Sequence, residues 1–459
     1  MKTELFSRRS ILPVAIEAAF AWHTRPGALE RLLPPWEKVQ LLKRTGGIQD
    51  GDRVELRVHV GPLPVTWIAE HRDYQPNRQF RDVQIQGPFA AWDHLHRFEP
   101  EGPDASVLED RIEYALPAGI VGQWAGQGTV RRRLEQMFQY RHATTIADLA
   151  AHAKYQGEPL EVCLSGSSGL IGSTLASFLR SGGHGVRRIV RKEPDGDPNV
   201  IAWDSAHGTL EAEKLEGADA VVHLAGESIA SGRWTEAKRT RIRESRVQGT
   251  RELAAALSRL QTPPKVLIVA SAIGYYGNRG DAMLDEDAGP GRGFLAEVCQ
   301  QWEAAVEPAA EHGIRVVHAR FGIVLSPHGG ALAKMLPLVR LGLGGRLGDG
   351  QQYWSWVSLD DVVGAIHHAI ITPTLTGPMN VTTPNPVQNV EFTKTLARIL
   401  GRPAILPAPA AALRLALGDM ADEMLLASTR AIPHRLFAAG YEFRHPTIDA
   451  ALRHLLGRA

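Results

Sequence analysis

The segment SGSSGLIG, residues 165–172, carries three glycines directly after the apolar run EVCL, and the helix-forming run LIGSTLASFL begins within it at Leu170. Flexible residues at such a junction predict a tight turn from a strand into a helix. Gly166, Gly169 and Gly172 have the spacing G-x-x-G-x-x-G, whereas the usual dinucleotide fingerprint is G-x-G-x-x-G. Both spacings allow a tight turn, close approach of the backbone to a pyrophosphate, and close helix–strand packing. The turn therefore predicts a dinucleotide site.

The sequence after residue 155 alternates between strands and helices. ADAVVHLAG is followed by a long helix around residues 235–259 and then by KVLIVASA. This alternation predicts βαβ units and a doubly wound parallel sheet of the α/β class, covered by helices on both faces. Beyond residue 325 the pattern loosens, and a helical C-terminal lobe is expected over about residues 326–459.

The sequence before residue 155 has a different pattern. Short alternating runs such as RVELRVHV and VTWIAEHRDY are separated by turn signals such as GPLP, which predicts an antiparallel sheet. A long helix from Thr129 to Ala153 follows, so we expect an α+β helix-grip domain with an internal cavity. The linker HAKYQGEP then separates a first domain, residues 1–153, from a second domain, residues 159–459.

The strand that follows the glycine turn indicates which dinucleotide binds. Enzymes that use NAD usually carry Asp or Glu about 20 residues after the turn, to accept a hydrogen bond from the ribose 2′-hydroxyl. In this chain VRRIV is followed by Arg191 and no carboxylate stands there. A guanidinium suits a 2′-phosphate, so the predicted cofactor is NADP(H).

Composition and charge exclude some partners. The formal net charge of +1 gives no global attraction to nucleic acid or to an anionic membrane. Ser7, Arg8 and Arg9 resemble an export motif, but Glu17 interrupts the apolar stretch and ELFSRRSIL is better interpreted as a strand. No apolar run reaches the ~18 residues that span a bilayer. With only two cysteines, a cytoplasmic protein with no membrane span is expected.

Several ordered motifs resemble those of the extended, epimerase-like branch of the short-chain dehydrogenase/reductase superfamily. They are SGSSGLIG, ADAVVHLAGE, VLIVASAIGYYG and WSWVSLDDVVGAI, and FLAEVCQQWE and LGDGQQYWSWVSLDD resemble one atypical group of epimerase-family, NADP-dependent oxidoreductases. The resemblance implies a Rossmann-type fold with Arg191 on the 2′-phosphate, Asp204 facing the adenine and Glu227 near the nicotinamide. It places two further sets against the cofactor: Ser165, Gly166, Ser168, Gly169, Leu170, Ile171 and Gly172 at the pyrophosphate, and Leu224, Ala225 and Gly226 beneath the cofactor.

The first domain resembles a different family. WHTRPGALERLLPPW, GPFAAWDHLHRF and the order of elements are similar to those of the START-related fold of polyketide cyclases and coenzyme-Q-binding proteins. The resemblance implies that this domain binds an apolar small molecule. Because the linker is short, we expect the first domain to present or sense a ligand related to the substrate of the second.

The superfamily's acid–base pair is missing. Its chemistry needs a Tyr four residues before a Lys on one helical face, but those positions in FLAEVCQQWE are Leu295 and Cys299. A neighbouring register gives Phe294 and Val298, which cannot replace the pair either.

The catalytic candidates are therefore taken from the residues near the expected nicotinamide. Ser271 falls close to the superfamily's catalytic serine, although matching Tyr276 and Gly277 aligns that serine with Ala272 instead. The leading candidates are Ser271, Tyr275 and Glu227, with the alternatives Tyr276, Lys238 and Arg246.

Three functional hypotheses follow. The first is an NADP(H)-dependent oxidoreductase or epimerase-like enzyme for a small molecule, with relocated acid–base groups. The second is a non-catalytic NADPH-binding sensor, and the third is a reductase whose proton comes from water. No metal is predicted, because His94 and His96 lie on one strand face but the sequence shows no third ligand. The sequence names neither the substrate, nor the first domain's ligand, nor the oligomeric state.

Overall fold

The computed structural model describes residues 3–117, 119–191, 197–204 and 207–458, and for residues 119–127 the helical backbone alone. The chain divides into two compact units. The first contains Met1–Gly157, Ser177–Gly183 and Leu456–Ala459, and the second contains Glu158–Ala176 and His184–Leu455. The division at residue 157 lies within the HAKYQGEP segment. Within the described ranges, no helix combines the length and apolar character needed to cross a membrane.

The first unit is an antiparallel sheet with helices, as predicted for a helix-grip domain. Its described residues form a seven-stranded sheet in the order β1-β7-β6-β5-β4-β3-β2. The strands are β1 (Glu4–Leu12), β2 (Gln40–Thr45), β3 (Arg53–Val60), β4 (Leu63–Gln75), β5 (Gln79–Gln86), β6 (Ala91–Gly102) and β7 (Ala105–Ala115). The helices are α1 (Ile16–Thr24), α2 (Ala28–Leu32) and the long α3 (Gly119–Ala153).

Strand β6 shows how the sequence builds the inside of this unit. Successive side chains of a strand point to opposite faces, so alternate residues share one environment. Trp92, His94, His96 and Phe98 are all buried, whereas the residues between them are not. The interior of the first unit therefore receives two histidines together with the aromatic residues.

The second unit is built on a predominantly parallel sheet, which confirms the predicted doubly wound α/β fold. Its strands and helices up to residue 325 are β8 (Glu161–Ser165), α4 (Leu170–Ser181), β9 (Gly185–Val190), β10 (Val200–Asp204), β11 (Thr209–Leu210), β12 (Ala220–His223), α5 (Glu236–Leu257), β13 (Val266–Ala272), β14 (Met283–Leu284), α6 (Phe294–Ala304), α7 (Glu307–Glu311), β15 (Arg315–Phe321) and β16 (Ile323–Leu325). Short 3₁₀ turns lie at Ala212–Leu215 and Ile273–Tyr276.

The rest of the unit mixes helices with short strands. It contains α8 (Gly330–Arg340), β17 (Tyr353–Trp354), β18 (Trp356–Ser358), α9 (Leu359–Ile371), β19 (Gly377–Val381), β20 (Val387–Gln388), α10 (Asn389–Leu400), α11 (Ala410–Leu417), β21 (Arg430–Ala431), α12 (His434–Ala438) and α13 (Ile448–Leu456), with a π-helical turn at Ala421–Leu425. One strand of this segment, β19, joins the main sheet beside β15.

The strand order locates a binding crevice. Among the described residues the main sheet has the order β11-β10-β9-β8-β12-β13-β15-β19, in which only β11 runs antiparallel to its neighbour. The order reverses between β8 and β12, because chain connections run outward from β8 on one side and from β12 on the other. Ligands of such sheets bind at the carboxyl ends of the strands beside the reversal. In this unit that point lies beyond Ser165 and His223.

Candidate functional site

The glycine turn lies at this reversal point. Strand β8 ends at Ser165, and α4 begins at Leu170. The N–H of Gly169 donates to the carbonyl of Gly166 at 2.9 Å, which closes the turn. Ser168 and Gly169 are exposed at its tip, whereas Leu170 and Ile171 are half-buried. The start of a helix supplies N–H donors and a positive dipole, so the turn has the features of an anion site.

Two of the glycines leave no room for a side chain. Gly166 has a φ of +69°, and a Cβ there would lie 2.9 Å from the backbone of Leu224 and Ala225. A Cβ on Gly172 would lie 2.2 Å from the carbonyl oxygen of Gly166. The backbones at the ends of β8 and β12 therefore approach each other closely, which only glycine permits.

The hydroxyl of Ser165 connects the two strands. Its Oγ accepts hydrogen bonds from the N–H groups of Leu224 and Ala225 at 3.2 and 3.3 Å, and lies 2.6 Å from Nδ1 of His223. Burial lowers the pKa of His223 to about 4, with a smaller contribution from the charge of Arg246, so the ring is neutral near pH 7. The Ser165 side chain therefore joins the end of β8 to the turn after β12, and its contact with a pyrophosphate stays a prediction.

Two candidate cofactor residues lie at the ends of the next strands. Arg191 directly follows β9 and is exposed. Asp204 is the last residue of β10, and its carboxylate lies 2.7 Å from Nδ1 of His207. Both positions belong to the carboxyl edge of the parallel strands, the same edge as the glycine turn.

The turn after β12 is held against α5. The Glu227 carboxylate accepts a hydrogen bond from Nζ of the buried Lys238 at 2.5 Å, and this bond lowers the pKa of Glu227. Arg246 donates to the Glu227 carbonyl at 2.9 Å, and the Glu227 N–H donates to Ser245 Oγ at 3.0 Å. Lys238 and Arg246, the alternative candidates, thus position the turn that contains Gly226 and Glu227.

Ser271 belongs to a buried polar network at the end of β13. Its Oγ donates to Oε1 of Glu303 on α6 at 2.7 Å. Arg320 of β15 donates to both oxygens of the same carboxylate at 2.8 and 2.7 Å, and to the Tyr276 hydroxyl at 2.9 Å. Tyr276 in turn donates to Oδ1 of Asn380 at 2.8 Å. Burial raises the pKa of Tyr276 to about 12, so this phenol is a structural member of the network.

Tyr275 differs from its neighbour. It is only partly buried, and the guanidinium carbon of Arg320 lies 3.6 Å from the centre of its ring. None of the side-chain hydrogen bonds among the described residues involves its hydroxyl. Sequence reasoning missed Arg320, which packs against Tyr275 and binds Tyr276. An arginine in the middle of the apolar run IRVVHARFGIVL was the signal that could have found it.

The positions that usually carry Tyr and Lys lie against the turn after β13. A Cβ on Gly274 would be 3.2 Å from Cβ of Leu295 and 4.0 Å from Sγ of Cys299. Burial raises the pKa of the Cys299 thiol to about 11. Phe294 and Val298, from the neighbouring register, are buried in an apolar cluster with Trp234, against which Leu295 also packs. Neither register places an acid–base group there.

Comparisons with known proteins show which family this chain belongs to. A family profile described as "NAD dependent epimerase/dehydratase family" matches residues 162–381, which include the glycine turn and β19. An epimerase family protein of Mycobacterium bovis is 48% identical over 291 residues, 63% of this chain and 96% of the relative. The chain belongs to the epimerase family. A profile for a domain of unknown function covers residues 408–455.

Solved structures of relatives cover both parts of the chain. A Corynebacterium glutamicum protein described as a nucleoside-diphosphate sugar epimerase has a TM-score of 0.80 and 33% identity, over 98% of this chain and 90% of that one. The human epimerase family protein SDR39U1, solved with NADPH, has a TM-score of 0.60 and 33% identity, over 65% of this chain and 100% of that one. The profile "Polyketide cyclase / dehydrase and lipid transport" matches residues 12–138 and confirms the START-like first domain.

Proposed function

We propose that the second unit binds NADP(H) and acts as an oxidoreductase or epimerase-like enzyme on a small molecule. The glycine turn is the observation that carries the proposal. A Cβ at Gly166 or Gly172 would meet backbone atoms at 2.9 Å or less, so the turn has the close backbone packing that a pyrophosphate site needs. The solved structure of the human relative contains NADPH, which supports NADP(H) as the cofactor of this chain.

Arg191 would select NADP(H) over NAD(H). It is exposed directly after β9, at the edge of the sheet that carries the glycine turn. Its guanidinium is suited to a 2′-phosphate, with which it forms charge-assisted hydrogen bonds. Asp204, one strand further along the same edge, would face the adenine.

The residues proposed for the chemistry have separate roles. Bound NADP(H) supplies or accepts the hydride. Glu227, whose carboxylate is held ionised by Lys238, would orient substrate at the nicotinamide end as a hydrogen-bond acceptor. Tyr275 would donate the proton, because its phenol is partly exposed and its hydroxyl makes no hydrogen bond among the described residues. Ser271 would align this turn through its bond to Glu303.

A second candidate function is a non-catalytic NADPH-binding sensor. The observation that favours it is the pair Leu295 and Cys299, which occupies the usual Tyr and Lys positions and packs on Gly274. A sensor needs the cofactor turn but no acid–base group.

The experiment that separates the two measures oxidation of NADPH by the full chain in the presence of carbonyl-containing metabolite extracts. The enzyme proposal predicts oxidation that Tyr275→Phe lowers by about 100-fold or more, the usual contribution of a general acid, without changing NADPH affinity. Tyr155→Phe, outside the site, is the matched control and should leave the rate unchanged. Bound NADPH that no extract oxidises would favour the sensor.

We propose further that the first unit binds an apolar small molecule related to the substrate. It encloses a cavity of about 510 Å³ with mainly apolar walls that include Leu56, Trp67 and Trp92. Cavities of this size are typical of small-molecule sites. Native mass spectrometry of the purified chain should show a co-purifying lipid-like compound, and an empty cavity in chain purified from several hosts would contradict this.

A further inference from the structure

One wall of the cavity in the first unit carries a cluster of histidine and aspartate side chains, which the apolar ligand proposed above does not explain. His94 and His96 alternate along β6 and are 2% and 6% exposed. Asp82 on β5 pairs directly with His94, and His71 on β4 pairs with Asp82. Strand pairing and alternation therefore bring these side chains to one face of the sheet. His71, Asp82, His94 and His96 all line the cavity.

Three ligand atoms of this cluster are spaced as around a metal ion. Oδ2 of Asp82 lies 3.2 Å from Nε2 of His96 and 3.9 Å from Nδ1 of His94. The three residues offer ligand atoms that all lie within 4.8 Å of one another. Ligand atoms bound at about 2.0–2.2 Å from a tetrahedral zinc ion lie roughly 3.3 Å from one another. Small side-chain movements would therefore bring the three ligand atoms of this cluster to the spacing that zinc needs.

The opposite nitrogens of both histidines meet one buried carboxylate. Nε2 of His94 lies 2.9 Å from Oδ1 of Asp110, and Nδ1 of His96 lies 2.6 Å from the same oxygen. The other oxygen of Asp110 lies 2.7 Å from Nε2 of His142 on α3. Metal-bound histidines almost always have a carboxylate or carbonyl on their second nitrogen, which fixes the ring and increases its basicity. Asp110 would serve both rings in this way.

Hydrogen bonds join the histidines of the cluster to Asp82 and Asp110, but they leave some of its buried polar atoms without a further partner. Nδ1 of His71 lies 2.6 Å from Oδ1 of Asp82, and neither atom has a further hydrogen-bond partner among the described residues. The same holds for Nδ1 of His96 beside Asp110. Buried polar atoms with few partners are costly, and a bound cation would compensate for the two buried carboxylates that contact His94 and His96.

We propose that His94, His96 and Asp82 form a binding site for a divalent transition-metal ion on the wall of the first unit's cavity. Two histidines and one carboxylate are a ligand set for zinc or ferrous iron, and three protein ligands leave positions open for water or a ligand. These open positions face the cavity, so the bound molecule would combine an apolar body with an oxygen donor for the metal. The proposal is independent of the dinucleotide site in the second unit.

The test is a titration of the full chain, stripped with a chelator, with Co²⁺ as the probe. We expect one equivalent to bind with the visible ligand-field bands of a nitrogen–oxygen site, and Zn²⁺ to displace it. His94→Ala and His96→Ala should each abolish the bands. His59→Ala is the matched control, because His59 lines the same cavity outside the cluster and should leave the bands unchanged.

A second group of similar composition provides the specificity control. Asp360, His445 and His454 of the second unit also offer ligand atoms within 4.8 Å of one another. His445→Ala should leave the cobalt bands in place. Loss of the bands in that variant, or their persistence in both His94→Ala and His96→Ala, would overturn the proposal. Circular dichroism checks that the variants fold, and if they do not, a wild-type chain that binds no cobalt overturns the proposal by itself.

Discussion

Arg320 on β15 binds both carboxylate oxygens of Glu303 on α6, at 2.8 and 2.7 Å, in a place where the arginine side chain is only 3% exposed. The same guanidinium donates to Tyr276, and the same carboxylate accepts from Ser271. This pair therefore joins a helix and two strand ends around the turn that carries Tyr275. The catalytic candidates Ser271 and Tyr275 depend on it for their position.

Glu303→Gln should strongly destabilise the second unit. It removes the negative partner of a buried guanidinium, and breaking a buried pair from one side costs about 3–5 kcal/mol of the free energy of unfolding. Denaturant unfolding of the full chain, followed through the transition of the second unit, measures the loss. Arg398→Ala breaks the exposed pair with Asp449 and should cost about 1 kcal/mol or less. Equal effects of the two variants would contradict the structural role given to Arg320.

Gly172→Ala should weaken NADPH binding by at least about tenfold. The added Cβ would lie 2.2 Å from the Gly166 carbonyl oxygen, so the turn must open before the helix can pack. Isothermal titration of NADPH against the full chain provides the dissociation constant. Gly289→Ala is the control, since a Cβ there meets nothing within 4 Å and the φ is not left-handed. An unchanged dissociation constant in Gly172→Ala would exclude this turn as the pyrophosphate site.

The second unit should lose stability as pH falls from 6.5 towards 4. His223 is buried and neutral, and burial lowers its pKa to about 4, whereas a histidine in the unfolded chain titrates with a pKa near 6.5. The unfolded chain therefore binds the proton first, and the stabilising effect of a neutral His223 is present above pH 6.5 and lost below it. Because a tenfold change in proton affinity corresponds to about 1.4 kcal/mol, His223 alone should contribute a fall of roughly 3 kcal/mol in the free energy of unfolding across this range.

His223→Asn tests this pH dependence. The variant should show a shallower fall of unfolding free energy between pH 6.5 and 4 than the wild-type chain. Burial also lowers the pKa of His445 to about 4. His445 therefore adds the same fall in unfolding free energy to the wild-type chain and to the variant, and this contribution cancels when the two profiles are compared. Parallel profiles would show that His223 is not held neutral by the fold.

Local patterns in the sequence were enough to predict the antiparallel sheet of the first unit, the parallel sheet of the second unit and the glycine turn. Gly166 and Gly172 could be placed in a strand-to-helix turn from the sequence, because the two glycines, the preceding strand and the following helix are contiguous in the chain. Contacts between distant residues could not be assigned in this way. His94 and His96 were placed on one strand face, but Asp82 and Asp110 come from neighbouring strands, and alternation along one strand does not fix the pairing register.

The same reason explains the buried network of the second unit. Ser271 was selected because it falls close to the superfamily's catalytic serine, yet its partner Glu303 lies 32 residues further along the chain. Arg320 reaches Tyr276 across 44 residues. Side-chain partners of this kind are determined by packing, which a single sequence does not specify. The sequence already favoured Tyr275 over Tyr276, and the burial of Tyr276 adds a reason for that preference which local patterns could not supply.

The central claim is that the second unit binds NADP(H) through the glycine turn and Arg191. Its most direct test compares the dissociation constants of NADPH and NADH for the wild-type chain, Arg191→Ala and the control Arg251→Ala on the exposed side of α5. The wild-type chain should bind NADPH more tightly than NADH. Arg191→Ala should weaken NADPH binding by about 10- to 100-fold, the value of a charge-assisted hydrogen bond, and should change NADH binding little. Arg251→Ala should match wild type. Tighter binding of NADH by the wild-type chain, or an equal loss for both cofactors in Arg191→Ala, would contradict the account.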